Sequence, residues 1–233
     1  MTKIYEALDN ASRSREQVPS QAPLPIMQSL PRGLEDKLLG LHQQIEAALG
    51  DLRCPIVELV GAHNTDEASR LARQFARVAA VRMGKRVLLL NAVGQVLVDD
   101  GSQDWQNMLH TGEPDESLFR PVGDTSLWVS QLAASSASLP AILADPQMPG
   151  LLDQLRQRFD LIVVDAPALG MSSDGVRVSA LTDGVVVVVE AEETRWQAIR
   201  RDLTRLDAQK ARVLGVLLNK RTYYIPGFIY KRI

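Results

Sequence analysis

Short apolar runs recur along most of this chain and are separated by longer amphipathic stretches. The runs are Ile56–Val60, Val87–Leu90, Leu127–Val129, Leu161–Val164, Val185–Val189 and Val213–Leu218. Several of them are continuously apolar instead of alternating with polar residues, as the buried strands of a parallel sheet are. The pattern therefore predicts a mostly parallel β-sheet that is covered on both faces.

The stretches between these runs have the periodicity of helices. They are Glu67–Met83, Met148–Arg158, Asp174–Leu181 and Thr194–Ala208. Strands that alternate with helices form βαβ units with right-handed crossovers. The chain is therefore predicted to adopt a doubly wound α/β fold, in which a ligand binds at the carboxyl ends of the strands.

The first part of the chain predicts two segments in front of the α/β domain. Residues 1–17 place Ile4, Leu8 and Ala11 at helical spacing, and residues 18–32 contain four prolines. We interpret them as a helical docking segment on a Pro-rich linker, followed by the α/β domain over residues 33–233. That domain is predicted to open with an amphipathic helix over Gly33–Leu49.

Composition and charge narrow the class of protein. The chain is 45% hydrophobic with a formal net charge of −2, as expected of one compact domain with a short appendage. From Arg195 onward, however, ten Lys/Arg residues face only two acidic residues. This basic end predicts an anionic neighbour, either a phospholipid surface or an acidic protein, unless it is simply a solvated helix face. No nucleic-acid recognition motif accompanies it.

Several other classes of function are not expected. No apolar run is long enough to span a bilayer and the first residues are polar, so we expect a cytoplasmic protein. The one cysteine, Cys54, precedes an apolar strand and is expected to be buried. The three histidines have no ligand spacing between them, so we expect no metal site and solvent-exposed positions for all three.

The turn after the first predicted strand is the usual phosphate cradle of such a fold. A working P-loop reads Gly-x-x-x-x-Gly-Lys-Ser/Thr: glycine amides wrap the phosphates, lysine neutralises them and the hydroxyl holds magnesium. The corresponding segment here, Gly61–Ser69, reads GAHNTDEAS. Aligning Ser69 with the hydroxyl puts Ala62 and Glu67 at the glycine positions and Ala68 at the lysine position.

Two acidic residues, Asp66 and Glu67, stand at the start of the helix that follows this turn. There they satisfy the helix dipole, and they would repel the phosphate anion that normally does so. The sequence thus predicts a P-loop that is occupied by the protein's own carboxylates.

A further set of motifs gives the chain a family resemblance. The segment Phe159–Pro167 reads FDLIVVDAP, Thr182-Asp183-Gly184 precedes the valine-rich run, and Lys3–Leu8 reads KIYEAL. From Pro31 to its last residue the chain resembles the bacterial tyrosine autokinases that act with chain-length determinant proteins in capsule and exopolysaccharide export. The resemblance implies the fold of P-loop NTPases of the deviant-Walker type.

The resemblance also assigns positions of the nucleotide site. The family's Asp-x-Asp-x-Arg after the second strand corresponds to Asn91, Val93 and Gln95, so all three functional side chains are replaced. Together with the missing lysine, these replacements predict that the chain does not catalyse phosphoryl transfer.

Three positions retain residues that fit a nucleotide site. Ser69 stands where magnesium would be held, Asp165 at the magnesium-water position, and Asn219 where related proteins contact adenine. Each also has an ordinary explanation as a residue of a helix turn, a strand end or a loop start. We therefore expect no cofactor, with ATP and magnesium bound weakly at most.

The basic end contains most of the tyrosines of the chain. Because tyrosine clusters at this place are autophosphorylation targets in the family, Tyr223, Tyr224 and Tyr230 are candidate substrates of another kinase. Alternatively, their rings pack on the domain while the neighbouring Lys and Arg residues face anionic lipid or a partner. The family's oligomerisation helix corresponds to Glu35–Ile45, where its tyrosine and arginines are replaced, which leaves a helix-mediated dimer open.

The motifs leave two classes of function. The first is a catalytically inactive scaffold that regulates exopolysaccharide polymerisation and export, in the cytoplasm beside an inner-membrane chain-length determinant protein. The second is a weak ATP-binding switch or a positioning ATPase of the same superfamily. The missing lysine favours the scaffold.

Overall fold

The computed structural model describes residues 32–93, 105–112, 115–132, 139–191 and 194–219. The strands are β1 (Ile56–Gly61), β2 (Val87–Asn91), β3 (Arg120–Pro121), β4 (Leu127–Gln131), β5 (Leu161–Ala166), β6 (Gly184–Glu190) and β7 (Val213–Asn219). The α-helices are α1 (Arg32–Leu49), α2 (Thr65–Met83), α3 (Trp105–Thr111), α4 (Leu139–Leu143), α5 (Met148–Arg158), α6 (Ser173–Ser179) and α7 (Trp196–Ala208).

These strands form one sheet in the order β3-β4-β2-β5-β1-β6-β7. β3 is antiparallel to β4, and every other neighbouring pair is parallel. Every residue of β1, β2, β5 and β6 is buried, which explains why these runs are continuously apolar. The predicted doubly wound α/β fold is confirmed.

Helices cover both faces of the sheet. On one face α1 and α2 pack through residues such as Leu38 and Phe75 against alternate residues of the central strands. On the other face α3 to α7 contribute residues such as Trp105 and Leu155 to a second buried cluster. In the described part of the chain, helices thus cover both faces of the central strands. A ligand could reach these strands only at their ends.

The predicted elements agree with the structure, with small shifts at their ends. The helix predicted from Glu67 begins at Thr65, because the side chain of Asn64 caps it by accepting a 2.9 Å hydrogen bond from the amide of Asp66. It ends at Met83, where Gly84 takes a left-handed conformation with φ of 65°. Two short helices, α3 and α4, were not predicted, since one or two turns give too little periodicity to recognise.

One expectation about the histidines is wrong. His63 and His110 are exposed, but only 2% of His42 is accessible. Its ring stacks on Phe75 with 5.6 Å between centroids, because α1 packs against α2. Cys54 is buried, as predicted.

Other predictions concern segments outside the described residues. These are the helix of residues 1–17, the linker of residues 18–32 except for Arg32, the position of Gln95, and the tail that carries Tyr223, Tyr224 and Tyr230. Among the helices that the structure describes, none is both long enough and apolar enough to cross a membrane.

Candidate functional site

The predicted site residues lie at the carboxyl ends of the parallel strands. β5 lies between β1 and β2, and its residue Asp165 is in register with Asn91 of β2. Asn219 is the last residue of β7, which lies on the opposite side of β1 from β5 and β2. Its side chain contacts Glu67 of α2. The sheet order thus brings residues that are far apart in the chain to one edge.

The connection between β1 and α2 is too short to form an open phosphate loop. Gly61 ends β1 and Thr65 begins α2, so only residues 62–64 connect them. Glu67 and Ala68, which align with the second glycine and the lysine of a P-loop, lie in the first helical turn. Because Ala68 is fully buried, a side chain at this position points into the protein and not toward a bound phosphate.

Two of the three retained nucleotide-site residues bind each other. The hydroxyl of Ser69 donates a 2.7 Å hydrogen bond to Oδ1 of Asp165, and both residues are buried. In a working site the same two side chains would face a magnesium ion. The structure therefore brings together the two side chains that the sequence assigns to a magnesium site, and the binding of magnesium there stays a prediction.

The carboxyl group of Asp165 is poorly solvated. Only 1% of the residue is exposed, and among the described residues Oδ2 has no hydrogen-bond partner. Burial raises the pKa of Asp165 from 3.8 to about 7, although the hydrogen bond from Ser69 and the charge of Arg73 oppose this shift. Near neutral pH, Asp165 is consequently only partly ionised.

The third retained residue contacts the protein itself. The side-chain amide of Asn219 donates a 2.9 Å hydrogen bond to Oε2 of Glu67, and Arg70 forms a 2.6 Å ion pair with the same oxygen. Glu67 thus links the end of β7 to the first turn of α2. Asn219, at the predicted adenine-contacting position, is therefore hydrogen-bonded to Glu67, at the position of the second glycine.

A second polar cluster occupies the place of the family's acidic pair. The side-chain amide of Asn91 donates a 2.7 Å hydrogen bond to Gln131, and its oxygen accepts one of 3.0 Å from the amide of Val93. Gln131 in turn donates to the carbonyl of Val93 at 3.0 Å. The residues aligned with the two acids therefore take part in an amide network, in which Asn91, Val93 and Gln131 supply no acidic side chain to act as a base.

The loop after β5 lies across the β1–α2 connection. The amide of Leu169 donates to the carbonyl of Gly61 at 2.9 Å, and that of Gly170 donates to the carbonyl of Ala62 at 2.8 Å. The amide of Ala168 donates to the hydroxyl of Thr65 at 3.1 Å. Residues 168–170 thus hold this connection through two of its carbonyl oxygens and the Thr65 hydroxyl, and these bonds use none of the amide donors with which a P-loop binds phosphate.

Glycine is required where this loop makes its closest approach. A Cβ atom on Gly170 would lie 2.9 Å from the carbonyl oxygen of Ala62 and would overlap the ring of His63. The contact between the two loops therefore depends on glycine at position 170.

One small cavity lies at the site among the described residues. A cavity of about 130 Å³ lies between the loop residues His63 and Asn64, Glu67, and the far end of β6. Nucleotide-sized ligands usually occupy pockets of roughly 300 to 1,000 Å³. This cavity by itself can accommodate a small ion or a few waters, and it is smaller than a nucleotide requires.

Known proteins resemble the chain over most of its length. No protein-family model matches it. It is 28% identical to the succinoglycan biosynthesis transport protein ExoP of Rhizobium meliloti, over 71% of this chain and 22% of ExoP. It is 23% identical to the tyrosine-protein kinase ptk of Acinetobacter johnsonii, over 79% of this chain and 26% of that kinase. The kinase domain of the Escherichia coli tyrosine kinase ETK superposes with a TM-score of 0.73 at 16% identity, covering 92% of this chain and 89% of that domain.

These similarities confirm the predicted relationship to the bacterial tyrosine autokinase family. The chain spans about a quarter of the length of the two curated relatives. The similarity to the ETK domain shows the shared fold.

Sequence reasoning missed the residues that close the site. The hydroxyl of Thr65, the loop of residues 168–170 and the amide of Gln131 all take part in it, and none belongs to a motif of the family that was recognised in the chain. Gly170, directly after the Asp165 motif, was the one signal available, since an isolated glycine can mark a close backbone approach.

Proposed function

We propose that this chain is a catalytically inactive, tyrosine-autokinase-like regulatory or scaffold protein of an exopolysaccharide polymerisation and export system. The observation that supports it most is the first turn of α2, where Glu67 stands at the position of the second glycine and binds Asn219 and Arg70. In an active relative this place would have to open to a nucleotide, whereas here the position aligned with the lysine is the buried Ala68.

Electrostatics support the same proposal. A charge-assisted hydrogen bond contributes about 1.5 to 3 kcal/mol, so the missing lysine alone weakens phosphate binding by roughly ten- to a hundredfold. Asp66 and Glu67 in the first turn of α2 add negative charge where the phosphates would lie. The neutral Asn91 network removes the acids that activate the attacking hydroxyl in the family.

The proposed place of action follows from the relatives. ExoP is named as a succinoglycan transport protein, and this chain aligns with about a fifth of it. We propose that this chain acts with an inner-membrane chain-length determinant protein and binds it from the cytoplasmic side. The excess of basic residues from Arg195 onward would favour an acidic partner or the anionic lipid next to it.

The first test is nucleotide binding and phosphoryl transfer by the purified full chain. We expect no micromolar binding of magnesium-ATP by isothermal titration and no incorporation of radiolabelled phosphate, while the ETK kinase domain, measured in parallel, shows both assays to work. The triple variant Ala62→Gly/Glu67→Gly/Ala68→Lys should recover nucleotide binding at most. Micromolar binding by the unmodified chain, or turnover that Asp165→Asn abolishes, would refute the proposal of an inactive site.

The second candidate function is a weak ATP-dependent switch, which the preserved pair of Ser69 and Asp165 favours. Such a switch requires magnesium-ATP to raise the melting temperature of the chain. The increase should disappear in Ser69→Ala and persist in Ser173→Ala, a control on an exposed helix end. If magnesium-ATP gives no increase in any of the three proteins, this candidate is excluded.

The second test concerns the partner. The chain is co-expressed with the chain-length determinant encoded nearest to it, and membranes are separated from soluble protein. We expect co-fractionation that weakens when Tyr223–Ile233 is deleted, and polysaccharide output that is unchanged by Asp165→Asn. Equal membrane fractions for the full and the truncated chain would show that the tail has no part in the association.

A further inference from the structure

β7 is the outer strand of the sheet, and its surroundings differ from those of the other long strands. It pairs with β6 on one side, and on its other side no strand of the described residues pairs with it. Val216 and Leu218 are 50% and 52% exposed, in contrast to the fully buried residues of β6. About half of the backbone amides of β7 therefore point away from the sheet beside apolar side chains.

A groove runs along the same strand on the α1 side. It has a volume of about 780 Å³, and its walls are formed by Leu34 and Leu41 of α1 and by Leu214 and Leu217 of β7. These four leucines are only partly buried against the core. Asn219, the last residue of β7, also lines the groove.

Such an edge is rarely left open in natural proteins. An exposed strand with apolar side chains and unpaired amides pairs readily with another chain, so folded proteins charge, shorten or cover it. β7 has seven residues, VLGVLLN, and no charged side chain among them. A cover is therefore expected along both the strand edge and the groove.

We propose that residues 220–233 of the same chain turn back at Asn219 and cover the edge of β7 together with the groove beside α1. This segment directly follows Asn219, which lines the groove, so no separate linker is needed. Seven residues of β7 span about 23 Å. A turn of roughly two to five residues and a return run of the same length fit within the residues that follow Asn219.

The composition of the segment suits this position. It contains Tyr223, Tyr224, Ile225, Phe228, Ile229, Tyr230 and Ile233 among its fourteen residues, which is enough apolar surface to fill a groove lined by leucines. Pro226 lacks an amide hydrogen, and proline in a sheet is confined to an edge strand or a bulge. The remaining side chains include four Lys and Arg residues, which discourage pairing with a further strand.

The cover has a consequence for the tyrosines and for partners. Rings that are inserted into the groove are protected from a kinase, and a partner that pairs with β7 has to displace the segment first. Coverage of β7 thus couples access to Tyr223, Tyr224 and Tyr230 to the binding of that partner.

Hydrogen exchange of the full chain tests the proposal. The amides of β7 are compared with those in a variant truncated after Arg221, which keeps the contact of Asn219 with Glu67. We expect their exchange to accelerate on the order of tenfold or more in the truncated chain, while exchange in β1 and β5 stays unchanged. Equal exchange of the β7 amides in both proteins would overturn the proposal.

A groove-filling variant with a matched control avoids truncation. Gly40 lines the groove, Gly33 lies in the same helix outside it, and in both cases an added Cβ atom would meet nothing within 4 Å. Gly40→Phe should expose the β7 amides as the truncation does, and Gly33→Phe should leave them protected. The same response in the two variants would contradict the proposal.

Other occupants give different results. If protection of the β7 amides in the full chain is lost on dilution, together with a dimer seen in sedimentation, the cover is a second copy and the proposal is wrong. It is also wrong if protection appears only after phosphatidylglycerol vesicles or the chain-length determinant are added. Protection that is independent of concentration in the isolated monomer supports it.

Discussion

The central strand β1 contains a buried acidic residue, Glu58, whose protonation is expected to make the stability of the fold depend on pH. Glu58 lies in β1 between Val164 of β5 and Val185 of β6, and it is completely buried. Its Oε2 atom is within hydrogen-bond distance of the Ser179 hydroxyl, which also lies 2.9 Å from the carbonyl oxygen of Gly175. Since a hydroxyl has one proton to donate, a protonated Glu58 that donates to Ser179 leaves the proton of that hydroxyl for the carbonyl oxygen of Gly175.

The pKa of Glu58 gives the size of the effect. Burial raises it from 4.5 to about 8, and the hydrogen bond with Ser179 only partly opposes this shift. The unfolded chain releases the proton near pH 4.5, whereas the folded chain keeps it up to about pH 8. The folded state therefore binds more protons in this window, and its stability falls as the pH rises through it.

We predict that Glu58→Gln removes this pH dependence. Glutamine keeps the shape and a donor for Ser179 but carries no charge at any pH. Relative to the wild type, the variant should gain about 1.4 kcal/mol of unfolding free energy per pH unit across the window, approaching on the order of 5 kcal/mol at pH 9. At pH 5 the two proteins should be almost equally stable.

Urea unfolding at pH 5, 7 and 9 measures these differences. Glu46→Gln is the matched control, because its hydrogen bond with Lys85 lowers the pKa of Glu46 and the residue is largely exposed. That variant should lose up to about 1 kcal/mol and gain nothing at high pH. Parallel pH profiles for the wild type and Glu58→Gln would show that Glu58 is ionised or hydrated in the fold, and the reasoning would be refuted.

Three further predictions concern other parts of the chain. Gly61→Ala should lower the unfolding free energy by about 1 to 3 kcal/mol, because the new methyl group overlaps the backbone carbonyl of Asn64; an unchanged urea midpoint would contradict the tight turn. Asp183 forms a bidentate ion pair with Arg156, with distances of 2.7 and 3.0 Å. Asp183→Asn should lower the unfolding free energy by about 1 to 2 kcal/mol in the same assay. An unfolding free energy unchanged within error would mean that the pair has no role in stability. Deleting residues 1–15 should leave the melting temperature nearly unchanged while reducing polysaccharide output, and a large drop in melting temperature would mean that this segment packs into the fold.

The sequence by itself determined the fold and the replacements in the site. Continuous apolar runs with helical stretches between them specify buried parallel strands, since only strands covered on both faces lack polar positions. The absence of lysine between Gly61 and Ser69, and the neutral residues Asn91 and Val93, can be read directly from the motifs. Local signals also placed most helix ends, as with Gly84 after α2.

Only the tertiary structure decided how the site is closed. The contacts of Ser69 with Asp165 and of Glu67 with Asn219 join residues 96 and 152 positions apart. They exist because strand order and register bring the ends of β1, β5 and β7 to one edge.

The protonation of Glu58 and the burial of His42 have a similar origin. Each depends on which neighbours surround a side chain after the layers pack, and those neighbours come from distant parts of the chain. A pattern of local hydrophobicity carries no information about such neighbours, because it records the spacing along one element and not the element that packs against it.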